Sequence, residues 1–206
     1  MEYGELVLSK KGDGMKGLFL IISILLILAT DVWGFGFLYH SEGPYRGKVI
    51  DLDTQEPIEG AVVAGVWVLE FNFTPFCDAK ETVTDKNGEF FLPKASCFTL
   101  WPLAEMNRMD IIVFKPGYLG YPPLGPSPEE RRARMPGFTG HEFQNKKEYN
   151  IIKLGRPKTR MDNELTHSHA QIFTFDECYD RLPVLLKLVN EEARNLGFGE
   201  IGRPEK

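Results

Sequence analysis

Cysteine and histidine are scarce in this chain, with three of the first and four of the second in 206 residues. No Cys-x-x-Cys occurs, which excludes a zinc ribbon or a thioredoxin-like redox motif. His40, His141, His167 and His169 are followed three residues later by Gly43, Gln144, Ala170 and Ile172, so no His-x-x-Glu pair is present to hold a catalytic zinc. An excess of positive charge is also missing. The net charge is −5, no broad basic surface is implied, and nucleic acid is not expected as a partner.

The apolar run from Leu18 to Ala29 follows Lys10, Lys11 and Lys16 and ends at Asp31. About twelve residues long, it reaches about 18 Å as a helix, short of a bilayer core of roughly 30 Å. This is the layout of an export signal, with a cut expected after Gly34. The alternative is an uncleaved anchor in the inner membrane over residues 17–39. Either way the chain is expected outside the cytoplasm, periplasmic or extracellular. No cysteine lies just after the apolar core, which argues against a lipid-modified N-terminus. Met15-Lys16 would itself open an ordinary signal, so both Met1 and Met15 are candidate starts.

The chain then turns to strands. Tyr45 to Leu52 reads as a strand, Asp53 to Glu56 as a turn with Pro57 at its exit, and Ile58 to about Phe71 as a long antiparallel partner rich in β-branched residues. That second strand is apolar on both faces, so something must cover its outer side. Residues 72–80 read as a loop and Glu81 to Asp85 as a strand. Asp85, Asn87 and Gly88 mark a hairpin, since Asn and Gly tolerate positive φ. Glu89 to Leu92 is the returning strand, 94–109 is irregular, Asp110 to Phe114 is a strand, 119–146 is a long proline- and glycine-rich loop, and 147–154 is the last strand. Residues 155–174 read as a linker. Residues 175–197 read as an amphipathic helix with Leu182, Leu185, Leu186, Val189, Ala193 and Leu196 on one face, Gly197 as its C-terminal cap, and Asp180 as N-cap ahead of Pro183. That helix is the expected cover for the second strand.

Three motifs fall in order. Gly47-Lys48-Val49-Ile50-Asp51 with Pro57-Ile58-Glu59-Gly60-Ala61 comes first, then Thr84-Asp85-Lys86-Asn87-Gly88-Glu89-Phe90, then Lys115-Pro116-Gly117-Tyr118. Together they resemble the signatures of carboxypeptidase regulatory-like domains, over residues 44–154. The resemblance implies a mainly β, roughly seven-stranded antiparallel transthyretin-like sandwich, of the kind found alone in exported bacterial proteins. It implies architecture and no activity. The peptidase half is absent, and the ending Gly202-Arg203-Pro204-Glu205-Lys206 lacks the tetrapeptide of transthyretin-related hydrolases. Gly47, Asp51, Pro57, Gly60, Asp85, Asn87, Gly88 and Gly117 are turn and strand determinants; for Gly60 a bulge or close strand approach is expected.

Few residues offer chemistry. His167 and His169 would share one side if extended and are the weak candidates for a metal, though two imidazoles do not complete a site. Asp51, Asp53 and Glu56 resemble a calcium loop only faintly, and no cofactor is expected. Trp101, Tyr118 and Tyr121 could contact a ligand from sandwich loops, with Trp67 in the core. Arg131, Arg132 and Arg134 follow Glu129 and Glu130 as a solvated cluster. Cys77 and Cys97 lie nearly symmetrically about the Lys86-Asn87 turn, which suits a disulfide; Cys97 with Cys178 is the second option. The expected function is a non-catalytic binding or scaffolding module contacting protein, peptide or glycan through the 72–80, 94–109 or 119–146 loops. The alternatives are a small metal enzyme using His167 and His169, or an adaptor docking through the C-terminal helix.

Overall fold

The computed structural model describes residues 18–23, 39–70, 75–101, 103–123, 129, 149–170 and 176–202. Residues 18–23 are helical, with Leu18 to Ile22 exposed. The cut after Gly34, both candidate starts, the Arg131 cluster and most of loop 119–146 lie outside the described residues. Among the described residues no helix is long and apolar enough to cross a membrane.

The described chain is mainly β. Its strands are β1 (Tyr39–Glu42), β2 (Tyr45–Asp51), β3 (Val62–Glu70), β4 (Phe76–Val83), β5 (Glu89–Leu92), β6 (Ala95–Phe98), β7 (Glu105–Phe114) and β8 (Tyr149–Leu154). Helices α1 (Arg160–Ala170), α2 (Asp176–Arg181) and α3 (Pro183–Leu196) follow. Three sheets form, in the orders β5-β2-β8, β4-β3-β7 and β1-β6.

This pairing corrects the sequence reading in several places. There are eight described strands, and β2 and β8 run parallel, from Arg46 beside Tyr149 to Asp51 beside Leu154. The strands flanking the Asp53 turn are not partners: β2 pairs with β5 and β8, and β3 with β4 and β7. The Asp85–Gly88 turn likewise carries the chain from β4 in one sheet to β5 in the other. Periodicity tells which side chains are buried and leaves the neighbouring strand open. Residues 76–80, 95–98 and 105–109 are strand, so two of the three expected ligand loops are largely sheet.

The two three-stranded sheets enclose the main core. Tyr45, Val49, Phe90, Leu92, Ile152 and Leu154 come from one sheet, and Val63, Trp67, Ile111 and Val113 from the other. Gly65 leaves room for the Trp67 ring, since a Cβ there would sit 2.9 Å from it. Gly47 has no space for a Cβ, which would lie 2.1 Å from the Asn150 carbonyl on β8.

The second face of β3 is covered as its composition requires. Val62, Ala64 and Val66, with Ala79 of β4 and Ile112 and Phe114 of β7, pack against Cys178, Leu182, Leu185 and Val189. Each side chain of Val or Leu size buried this fully contributes about 1.5–3 kcal/mol. The apolar stripe of α3 is therefore occupied by its own sheet, and the reading of that stripe as an adaptor's docking face does not hold.

The helical region differs from expectation in two ways. The helix is broken at Leu182, which is the N-cap of α3 with no side-chain cap of its own; Asp180 lies in α2 and does not cap. The missing cap comes from β4, where Glu81 accepts the N–H groups of Val184 and Leu185. The expected linker also contains α1. Thr159 Oγ1 accepts the Asp162 N–H at 3.1 Å while Asp162 Oδ2 accepts the Thr159 N–H at 2.9 Å, a reciprocal capping box.

Candidate functional site

One end of the sandwich gathers three of the sequence motifs. β2 stops at Asp51, whose carboxylate is almost wholly buried. Its Oδ1 accepts the Asp53 and Thr54 N–H groups at 2.9 and 3.0 Å. Its Oδ2 accepts the Tyr118 hydroxyl at 3.1 Å and Arg156 Nε at 3.2 Å. Arg156 Nη2 also donates to the Tyr118 hydroxyl at 3.2 Å, with its guanidinium carbon 5.2 Å from the ring centroid. Every Asp51 oxygen is engaged by these donors, which leaves the faint calcium-loop pattern without its first ligand.

The electrostatics of this corner fix protonation rather than poise it. Burial acts to raise the Asp51 carboxyl, but the Thr54 and Asp53 amides, Arg156 and Tyr118 outweigh it and hold it below its ordinary value. Burial, then the bond to Asp51, pushes the Tyr118 hydroxyl up. A base or acid that works at neutral pH needs a value near neutrality, and both groups move away from it. Cys178 moves away too, its thiol raised to about 11 by burial and then by the charge of Glu177.

A cleft lies beside the corner, between Phe114 and Tyr118 on one side and Asn163, Thr166, Val189 and Glu192 on the other. Its accessible volume is about 10 Å³, about the space of a single water and too little for a small molecule. Two of its polar side chains bond within the protein. Glu192 Oε1 accepts the Gly117 N–H at 2.9 Å, and Thr166 Oγ1 donates to the Asp162 carbonyl at 2.9 Å.

The opposite end carries the disulfide. Cys77 of β4 is bonded to Cys97 of β6, with Cα atoms 5.5 Å apart, and Cys178 is free and buried in the helix-side core. The symmetric placement of the pair about residues 86 and 87 holds although the turn joins two sheets, because the chain still reverses direction there. Tyr45 donates to Glu42, and three buried atoms nearby on β1 and β3 have no partner among the described residues: His40 Nε2, Glu42 Oε2 and Trp67 Nε1. No group of three or more potential metal ligands occurs among the described residues.

The third feature is the outer face of β5-β2-β8. Alternation on these strands turns Glu89, Phe91, Arg46, Lys48, Tyr149, Ile151 and Lys153 outward. Phe91, Tyr149 and Ile151 are each about half exposed. Arg46 lies over the Phe91 ring at 5.2 Å, and the Tyr149 hydroxyl donates to Glu89 at 3.0 Å. Among the described residues Arg46, Lys48 and Lys153 pair with no carboxylate.

Comparison with protein-family models, with curated proteins and with solved structures matches this chain to none of them.

The expected site residues are thus spread over the molecule. Asp51, Pro57, Asp85, Asn87, Gly88, Gly117 and Tyr118 sit at the Arg156 end. Gly60 has φ +71° and Gly88 φ +75°, so both are turn glycines; the bulge expected at Gly60 is not found, and Asn87 keeps negative φ. Tyr121 is 4% exposed, bonded through its backbone to Val113 and packed in the main core, so it is not a ligand-contact aromatic. Trp101 is at the disulfide end and 39% exposed. His167 and His169 lie on α1 and not on a strand. Arg156, Glu81 and Glu192 were not singled out by sequence; each acts across a long stretch of chain and leaves no local pattern. α1 did leave one, in the Thr159-x-x-Asp162 box.

Proposed function

We propose that this chain is a non-catalytic binding module of a bacterial cell envelope, on a transthyretin-like sandwich of the carboxypeptidase regulatory-like kind. In this reading its open sheet face takes an acidic stretch of a partner protein. The supporting observation is the contrast between the two sheets. The outer face of β4-β3-β7 lies under α2 and α3, whereas that of β5-β2-β8 exposes Phe91, Tyr149 and Ile151 beside Arg46, Lys48 and Lys153, which pair with no carboxylate among the described residues. Clustered exposed apolar residues mark contact surfaces, and the cations set the sign of the partner.

Amide chemical shifts of labelled protein, titrated with peptide pools of opposite net charge, test this. The acidic pool is expected to move the signals of Arg46, Lys48, Phe91 and Ile151, and Arg46→Glu with Lys48→Glu to abolish the effect. The reading fails if the face stays silent to acidic peptide, or responds instead to glycan fragments with the charge reversals in place. Stoichiometric zinc or copper lost on His169→Ala would overturn its non-catalytic part.

A further inference from the structure

Beyond the open sheet face, we infer that the disulfide end of the domain is seated on a lipid bilayer. Gly43-Pro44 joins β1 to β2 and Pro93-Lys94 joins β5 to β6, so the β1-β6 ribbon extends beyond the Tyr45–Leu92 end of the β2-β5 pair, and its terminal pair is Tyr39 opposite Phe98. Tyr39 is 52% exposed and Phe98 58%. The chain leaving Phe98 continues with Leu100 at 81%, Trp101 at 39% and Leu103 at 69%. No charged residue occurs between Lys94 and Glu105. Five large apolar side chains, two of them Tyr and Trp, are thus gathered at one corner without a charge among them. Tyr and Trp pair an apolar ring with a polar tip, the composition that lies well at a membrane interface.

The same corner is where the chain enters the domain. Tyr39 follows directly on the stretch from Leu18 to Leu38, which carries Asp31 as its single charge. Covalent continuity fixes the corner within reach of whatever surface takes up that run. A bilayer is the one occupant that satisfies both, because it accepts an apolar run and an uncharged aromatic rim together. The Cys77–Cys97 bond adds rigidity, holding β6 to β4 of the sandwich so that the corner and the domain move as one. The seat orients the molecule: the Arg156 end, at the other end of β2, faces away from the lipid.

The test uses the full chain reconstituted in phosphatidylcholine vesicles with brominated acyl chains, in a Trp33→Phe background. Two tryptophans then remain, Trp67 with no exposed surface and Trp101 at the corner. The expected result is quenching of Trp101 emission, absent when Trp101→Phe is added, and lost when Leu100→Asp and Leu103→Asp are introduced with the near-ultraviolet circular dichroism of Trp67 unchanged. Unquenched Trp101, or quenching indifferent to the two aspartates, overturns the inference. So does a dimer that buries the corner without quenching. Intact mass of the chain taken from cells is a second arm: a species that retains residues 18–38 on membranes supports the seat, and one that begins at Phe35 overturns it.

Discussion

The carboxylate of Glu81, on β4, accepts the Leu185 backbone N–H at 2.9 Å, with its other oxygen on Val184 at 2.8 Å. A sheet residue thereby caps the helix that covers the sheet. The helix dipole and two unpaired donors make a carboxylate favourable at this place. Glu81→Ala is expected to destabilise the fold by about 1–2 kcal/mol, read as a lower denaturant midpoint. Glu81→Gln, which keeps one acceptor oxygen, is expected to recover part of it. Equal midpoints for all three proteins would show that the cap contributes nothing.

Asp51 gives the fold an acid-sensitive limb. Its carboxyl is held below the ordinary value in the folded chain, so the unfolded chain binds the proton more tightly. The stabilisation is complete above the unfolded value of about 3.9 and is lost as pH falls through that value to the folded one. Asp51→Asn is expected to cost about 2–3 kcal/mol at pH 7. Denaturation curves from pH 7 downward should show the gap between the two proteins closing only below about pH 4. A gap independent of pH would mean that packing, not charge, holds the corner.

The Cys77–Cys97 bond closes a separation of 20 residues. In the chain-entropy account such a closure stabilises by about 3 kcal/mol. Cys77→Ser with Cys97→Ser should lower stability by that order in non-reducing buffer. Dithiothreitol should bring the wild type to the level of the double variant and leave the variant unchanged.

Cys178 is 3% exposed and its thiol is raised to about 11. At pH 8 the native protein is expected to release no thionitrobenzoate from Ellman's reagent, and one equivalent per chain on unfolding without reductant. A full equivalent from the native state would mean that α2 lifts from β4 readily.

What could be read from the sequence follows the range of each interaction. The two-sided burial of β3 was visible in Ala61 to Leu69, because an unbroken apolar strand needs two covers, and the Leu182 to Val189 stripe offered the second. The turn residues Asp51, Asp85 and Gly88 were visible because their needs are local. Strand partners were not, since alternation assigns a face and not a neighbour, and so β2 and β3 were read as a hairpin. α1 was obscured by its polar composition, with Arg160, Asp162, Asn163 and Glu164 in its first turns. Tyr118 and Asp51 were each singled out, but the group joining them, Arg156, lies 105 residues from Asp51 and carries no motif.

The parallel pairing of β2 with β8 also sets the order in which the protein can be finished. Asn150 donates from β8 to the Arg46 carbonyl of β2, 104 residues earlier in the chain. A ribosome adding about 5–20 residues each second needs about 5–20 s to cover that distance. For that interval β2 has left the ribosome with one flank uncovered. The newborn chain must keep that flank from other strands until its own last strand arrives.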